Sequence, residues 1–268
     1  MQIWDKYSAA LFAISVCFVY WAICILGSFG NNYIITVHPL HSSVDTRSIL
    51  IISASFVPAI YCIVAYSECR ASVLKMRASW KIYLLAIATG LALPFLSYPG
   101  THYYAFPWGR AVALRLALVF GANLLLSPFW EEIIWRGCFL NKVRSYSSVP
   151  GGIVVMSFWW TVWHGGYIAF LYSNGIPIRV LSVLPFTYFF AGIILGSVFE
   201  MAGGSLWPSV LLHAGFNAAT TVYYTAYNRA SELGSYVSEL VFVAIAAVIF
   251  FWIAIKANRV RTTDEALL

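Results

Sequence analysis

The stretch SAALFAISVCFVYWAICILGSFG, residues 8–30, decides the fold. It is apolar almost throughout and longer than the about 20 residues that a helix needs to cross the hydrocarbon core. Only Lys6 is basic ahead of it. The run also exceeds the about 7–15 apolar residues of a secretory signal, so it reads as a retained first span. Blocks of the same kind recur and predict eight spans, at 8–29, 48–67, 82–97, 111–140, 151–172, 180–201, 204–227 and 236–255. The expected fold is all-α: a polytopic integral membrane helical bundle of about eight transmembrane helices, forming one membrane domain over 1–268. The third span is short and ends near Pro94 and Pro99. The fourth is long, and Pro128 should kink it, because proline removes a backbone donor and crowds the preceding turn.

Composition supports this reading. The chain has 268 residues, 61% hydrophobic and 10% charged, where soluble domains carry about 25% charged residues. The net charge of +6 does not indicate nucleic acid. The basic residues form no stripe and sit mostly between apolar blocks, as they do in cytoplasmic loops. With both termini on one side, that side takes ten Lys and Arg and the other takes four. The imbalance predicts cytoplasmic termini. The membrane expected is a bacterial plasma membrane or, alternatively, the endoplasmic reticulum. The five cysteines, Cys17, Cys24, Cys62, Cys69 and Cys138, contain no CxxC pair and read as small packing residues.

The informative residues are polar ones inside the spans. A charge near the bilayer centre costs about 2.5–3.5 kcal/mol on insertion scales and usually marks function. Span four carries Glu131, Glu132 and Arg136 in FWEEIIWRG, span five His164 in WWTVWHGG, and span seven His213 and Asn217 in LLHAGFN. A rise of 1.5 Å per residue puts Glu131 and His213 each about 13 Å and His164 about 20 Å from the cytoplasmic end. One shared layer near the cytoplasmic leaflet accommodates all three. Residues four apart share a helix face, so Glu132 pairs with Arg136, and His213 and Asn217 can enter one cavity. Glu131 lies about 100° round the helix from Glu132 and is left freer to accept a proton, a division of labour suited to acid–base chemistry.

Three motifs carry a resemblance. EEIIWR (131–136) fits EExxxR, WTVWH (160–164) fits aromatic-xxx-His with Trp160 where Phe is commoner, and HAGFN (213–217) fits HxxxN. With GGSLWP (203–208), their order over about residues 111–225 resembles the CAAX protease and bacteriocin-processing family (CPBP, or Abi) of intramembrane proteases. The resemblance implies that Glu131 activates a water, His164 helps hold it, His213 and Asn217 steady the oxyanion, and Glu132 and Arg136 support them. It implies a membrane-associated or lipidated protein or peptide as substrate. It leaves room for one divalent metal ion such as zinc on Glu131, His164 and His213, and equally for a glutamate mechanism without metal.

Other chemistries fit less well. Aspartyl intramembrane proteases need two aspartates in the membrane, and Asp5, Asp45 and Asp264 all fall outside the spans. The zinc motif HExxH is missing. A serine mechanism through Ser205 leaves both glutamates unexplained. A proton-coupled transporter also buries Glu and His, but the polar residues lie in one half of the chain only. A non-catalytic immunity or scaffold protein would not need the intact set. His38 and His41 are read as incidental, since Pro39 disfavours a shared helix face. Trp130, Trp135, Trp159, Trp160 and Trp163 crowd the motifs and either pack or line a cavity for an apolar substrate segment. Glu200 is expected to face water or headgroups.

Overall fold

The computed structural model describes residues 2–28, 34–37, 42–45, 54–97, 109–227 and 233–267. His38 and His41 lie outside them. Helix α1 spans Gln2–Ser28, followed by a small antiparallel hairpin of β1, Ile34–Val37, and β2, Ser42–Asp45. Then come α2, Phe56–Ala65, α3, Ser67–Leu74, α4, Trp80–Leu96, and α5, Arg110–Leu126. Helix α6 runs over Pro128–Arg144. After it follow α7, Val149–Ser173, α8, Ile178–Leu181, α9, Leu184–Met201, α10, Trp207–Tyr227, and α11, Leu233–Leu267. The fold is a helical membrane bundle, and the hairpin is the departure from all-α among the described residues.

Helical segments occupy all eight expected places, but they are not eight equivalent spans. Among the described residues, three are long and apolar enough to cross a membrane alone: Tyr7–Gly27, Ile178–Met201 and Leu233–Arg259. Counting each bent pair as one span raises the number to five. The second segment differs most from expectation. At Tyr66 the chain turns by 105° between α2 and α3, so residues read as a loop form a helix folded back on the bundle. Helix α3 is held there by Asn141 Nδ2 donating to Ser72 Oγ at 3.0 Å and Trp207 Nε1 donating to the Val73 carbonyl at 3.0 Å. The kink at Pro128 is present: α5 and α6 meet at 41° across Ser127, with Pro128 in the first turn of α6.

The two helices bearing histidine, α7 and α10, are not among the independently apolar ones. They pack inside the bundle instead, α7 against α1 and α9, and α10 against α4 and α5. Small residues allow the close approach. Gly192 on α9 faces Ser157 on α7, and a Cβ there would lie 3.0 Å from the Ser157 side chain. A Cβ on Gly90 of α4 would collide with the Leu212 carbonyl of α10. Gly203 and Gly204, at φ of 65° and 84°, make the reversal between α9 and α10 that brings HAGFN back beside the glutamates.

Helix α11 shows how the outside is built. Val237, Val241, Ile245, Val248 and Trp252 are exposed, while Ser235, Glu239, Val243, Ala247, Phe250 and Ala254 are buried. Both stripes follow the helical period. The outward stripe suits lipid; the inward one carries a glutamate.

Candidate active site

The break at Ser127 places Glu131 in the first turn of α6. The helix stays α-helical through Glu132 and then becomes π-helical over Ile133–Leu140 before an α-helical end, Asn141–Arg144. All eight π-helical residues are buried. Such widened turns occur often at functional sites, and this one holds Arg136.

Glu132 and Arg136 form the expected pair, with Nη1 donating to Oε1 at 2.9 Å and both side chains fully buried. A second donor meets that oxygen: His213 Nδ1 lies 2.9 Å from Glu132 Oε1. Glu132 therefore ties α6 to α10 across 81 residues of sequence. Arg136 also reaches the Gly192 carbonyl on α9 at 3.4 Å. A carboxylate only accepts hydrogen bonds, so against ionised Glu132 the proton of His213 sits on Nδ1. His164 is fixed likewise. Its Nδ1 lies 2.8 Å from the Trp160 carbonyl, an obligate acceptor, so in the neutral ring Nε2 keeps a lone pair. Its imidazole stacks on Tyr188 with centroids 4.0 Å apart.

Glu131 is held at both oxygens. Ser127 Oγ donates to Oε1, and Trp160 Nε1 donates to Oε2 at 3.3 Å. Each oxygen retains a further lone-pair direction for a water proton. Trp160 is the hub. Besides Glu131, its ring meets His164 edge-on at 4.5 Å and His213 at 5.5 Å, and the Arg136 guanidinium lies 4.7 Å above it.

Glu131, Trp160, His164, His213 and Asn217 all line one cavity of about 550 Å³. Glu132 and Arg136 do not line it and stand behind the wall. Every site residue expected from the sequence is thus in or directly behind one cavity. The sequence did not point to Ser127, Tyr188 or Glu239, which also line it. Glu239 did leave a signal, a lone carboxylate within the last apolar run. Of the five tryptophans near the motifs, Trp160 alone lines the cavity, and Trp135 and Trp163 are buried packing residues. Ser205 is fully buried and outside the lining, which removes the serine alternative's nucleophile from the site. Glu200 corrects an expectation: it is 5% exposed and paired with Arg144 at 3.1 Å, because that end of α9 packs against α6 rather than facing water.

A divalent ion on Glu131, His164 and His213 would need three ligands converging on one point. Among the described residues no three His, Cys, Asp or Glu side chains do so. The arrangement as it stands does not fit the ion.

A helical membrane bundle enclosing carboxylates and imidazoles defines a class, the membrane-embedded proteins with a buried polar site. Comparison narrows it. Residues 113–219 match the family model described as Rce1-like, type II CAAX prenyl endopeptidase, and the match contains all three motifs. No curated protein matches the chain. Over this segment the chain is similar to CAAX prenyl endopeptidases, and the likeness points to the membrane-embedded peptidases as a class.

Proposed function

We propose that the protein hydrolyses a peptide bond of a membrane-associated substrate with a water activated by Glu131. The observation that carries this reading is the grip on Glu131, whose two oxygens accept from Ser127 and Trp160 while the residue lines the cavity. A base needs to sit about 3 Å from the proton it takes, and a carboxylate fixed at both oxygens is already oriented for that. His164, with Nδ1 committed to a carbonyl, offers Nε2 as an acceptor for the other water proton.

The attacked carbonyl becomes an oxyanion and needs donors aimed at it. Asn217 supplies an amide N–H. His213 supplies an Nε2–H only when protonated at both nitrogens, since Nδ1 faces Glu132. Glu132 is the counter-ion for that form, and Arg136 keeps Glu132 in place. Glu131 then passes its proton to the leaving amine, so no covalent enzyme intermediate is required. The reaction layer near the cytoplasmic leaflet and the lipidated character of the substrate are part of the proposal.

The test is to incubate protein in liposomes with membrane-anchored peptides, with and without a prenyl group, and to locate cleavage by mass spectrometry. Wild type should cut and Asn217→Ala should cut far more slowly. A chelator arm decides metal dependence, and a comparison of the prenylated and bare peptides decides the lipid requirement. Equal product from wild type and the variant would count against the oxyanion role.

A further inference from the structure

The polar residues of α10 do not end at the reacting groups. His213, Asn217 and Thr220 stand at i, i+4 and i+7, a spacing that keeps one helix face, and all three line the cavity. Asn123, Ser127 and Glu131, on α5, the break and α6, line it as well. The two rows run antiparallel at matching levels. At one end His213 meets Glu132, the neighbour of Glu131. At the other, Val222 and Tyr223 of α10 pack with Val112, Leu116 and Val119 of α5. Thr220 and Asn123 fall between these contacts, each about one turn beyond Asn217 and Ser127, away from the reacting end.

Thr220 is the member of the row that the reaction leaves unexplained. A helical serine or threonine can donate to the carbonyl one turn back, and Ser157 and Thr161 do so here, both at 2.8 Å. The Thr220 hydroxyl oxygen is buried and has no hydrogen-bond partner among the described residues. An unmet buried hydroxyl costs stability. Ser197 and Ser205 share that condition, and neither lines the cavity. Asn123 donates through Nδ2 to the Val119 carbonyl of its own helix at 2.8 Å, which leaves Oδ1 as an acceptor. A hydroxyl donor and an amide acceptor at one level of the cavity match the carbonyl and N–H of a peptide backbone.

Resting on the peptidase reading, we propose that Thr220 and Asn123 form a subsite for the backbone of the substrate. The Thr220 hydroxyl donates to a peptide carbonyl, Asn123 Oδ1 accepts a peptide N–H, and an extended segment lies along the wall between α5 and α10. From the midpoint of His213 and Asn217 to Thr220 is about 7.5 Å along the helix. An extended chain advances about 3.4 Å per residue, so the contact falls about two residues from the cleaved bond. The subsite binds and takes no part in the proton transfers.

The experiment uses the full chain in detergent micelles and one fluorescent, farnesylated peptide; because the contact is to backbone, its side chains are secondary. A series of the same peptide replaces one amide at a time by an ester, which removes the N–H and weakens the carbonyl as an acceptor. Binding is read by anisotropy in a Glu131→Gln background, where bound peptide is not consumed, and cleavage with Glu131 intact. Thr220→Val keeps the side-chain shape and removes an unmet hydroxyl, so its Tm should equal or exceed the parent's. Its Kd and KM should rise about fivefold, with kcat within about twofold of wild type. Asn123→Leu should weaken the same binding by a similar factor. One ester, about two residues from the cut, should weaken binding about fivefold when Thr220 is present and less than about twofold in Thr220→Val. Unchanged Kd and KM in Thr220→Val, whatever its Tm, or an ester cost equal in both proteins, overturns the inference and leaves the peptidase standing where cleavage occurs. An ester cost that disappears in Thr220→Val, without any cleavage by wild type, supports the subsite and sinks the peptidase reading.

Discussion

Replacing Arg136 by Met should destabilise the fold severely. The guanidinium is fully buried, 2.9 Å from Glu132 Oε1, and also reaches Gly192 and the Trp160 ring. Met roughly keeps the length and apolar stem, so packing loss is small and the charge dominates. At an effective dielectric near 20, unit charges about 3 Å apart attract by about 6 kcal/mol. Removing one member of a buried pair costs about 3–5 kcal/mol in practice, because the partner is left as an uncompensated charge. His213 on the same oxygen offsets part of this, so we expect about 3 kcal/mol. The double variant Glu132→Gln, Arg136→Met removes the orphaned charge and should recover at least about half of the loss. Reversible unfolding by SDS in mixed micelles measures both. A single variant within about 1 kcal/mol of wild type, or a double variant no better than the single, would refute the claim that the pair is a buried, coupled structural unit.

Other substitutions separate catalysis from stability. Trp160→Phe removes the indole donor to Glu131 while keeping an aromatic ring; a long hydrogen bond to a carboxylate is worth about 1.5 kcal/mol, so kcat should fall about tenfold, with a loss of stability of about 1 kcal/mol from the trimmed buried ring. Asn217→Ala should lower kcat by about 10²–10³ and leave KM close to wild type, measured on the best peptide substrate. Gly90→Ala, placed against the Leu212 carbonyl, should destabilise the α4–α10 contact by about 1–3 kcal/mol, seen as a lower Tm in detergent.

The parts legible in the sequence are those set by local period and composition. Apolar run length located the helices, Pro128 located the kink, and four-residue spacing gave the Glu132–Arg136 pair. Two kinds of feature were not legible. The first are contacts between distant segments: the His213–Glu132 bond joins residues 81 positions apart, and no local pattern encodes it. The burial of Glu200 depends likewise on where Arg144 lands. The second are backbone departures. The 105° turn at Tyr66 carries no proline at the bend, and the π-helical stretch over Ile133–Leu140 has the residue pattern of an ordinary buried helix. Helices α7 and α10 show a third limit: their tryptophans, glycines, histidines and hydroxyls lower hydropathy where neighbouring helices rather than lipid pack against them.

The claim at the centre is that Glu131 activates a water for peptide hydrolysis. The most direct measurement is peptide cleavage in ¹⁸O-labelled water by wild type and by Glu131→Gln, which keeps the shape and hydrogen-bonding reach but is a poor base. Wild type should give a product carrying one ¹⁸O in its new carboxylate, and Glu131→Gln, folded to the same Tm, should be slower by at least about 10². Undiminished cleavage by Glu131→Gln would contradict the assignment, and the absence of cleavage by folded wild type on every peptide would turn attention to proton-coupled transport.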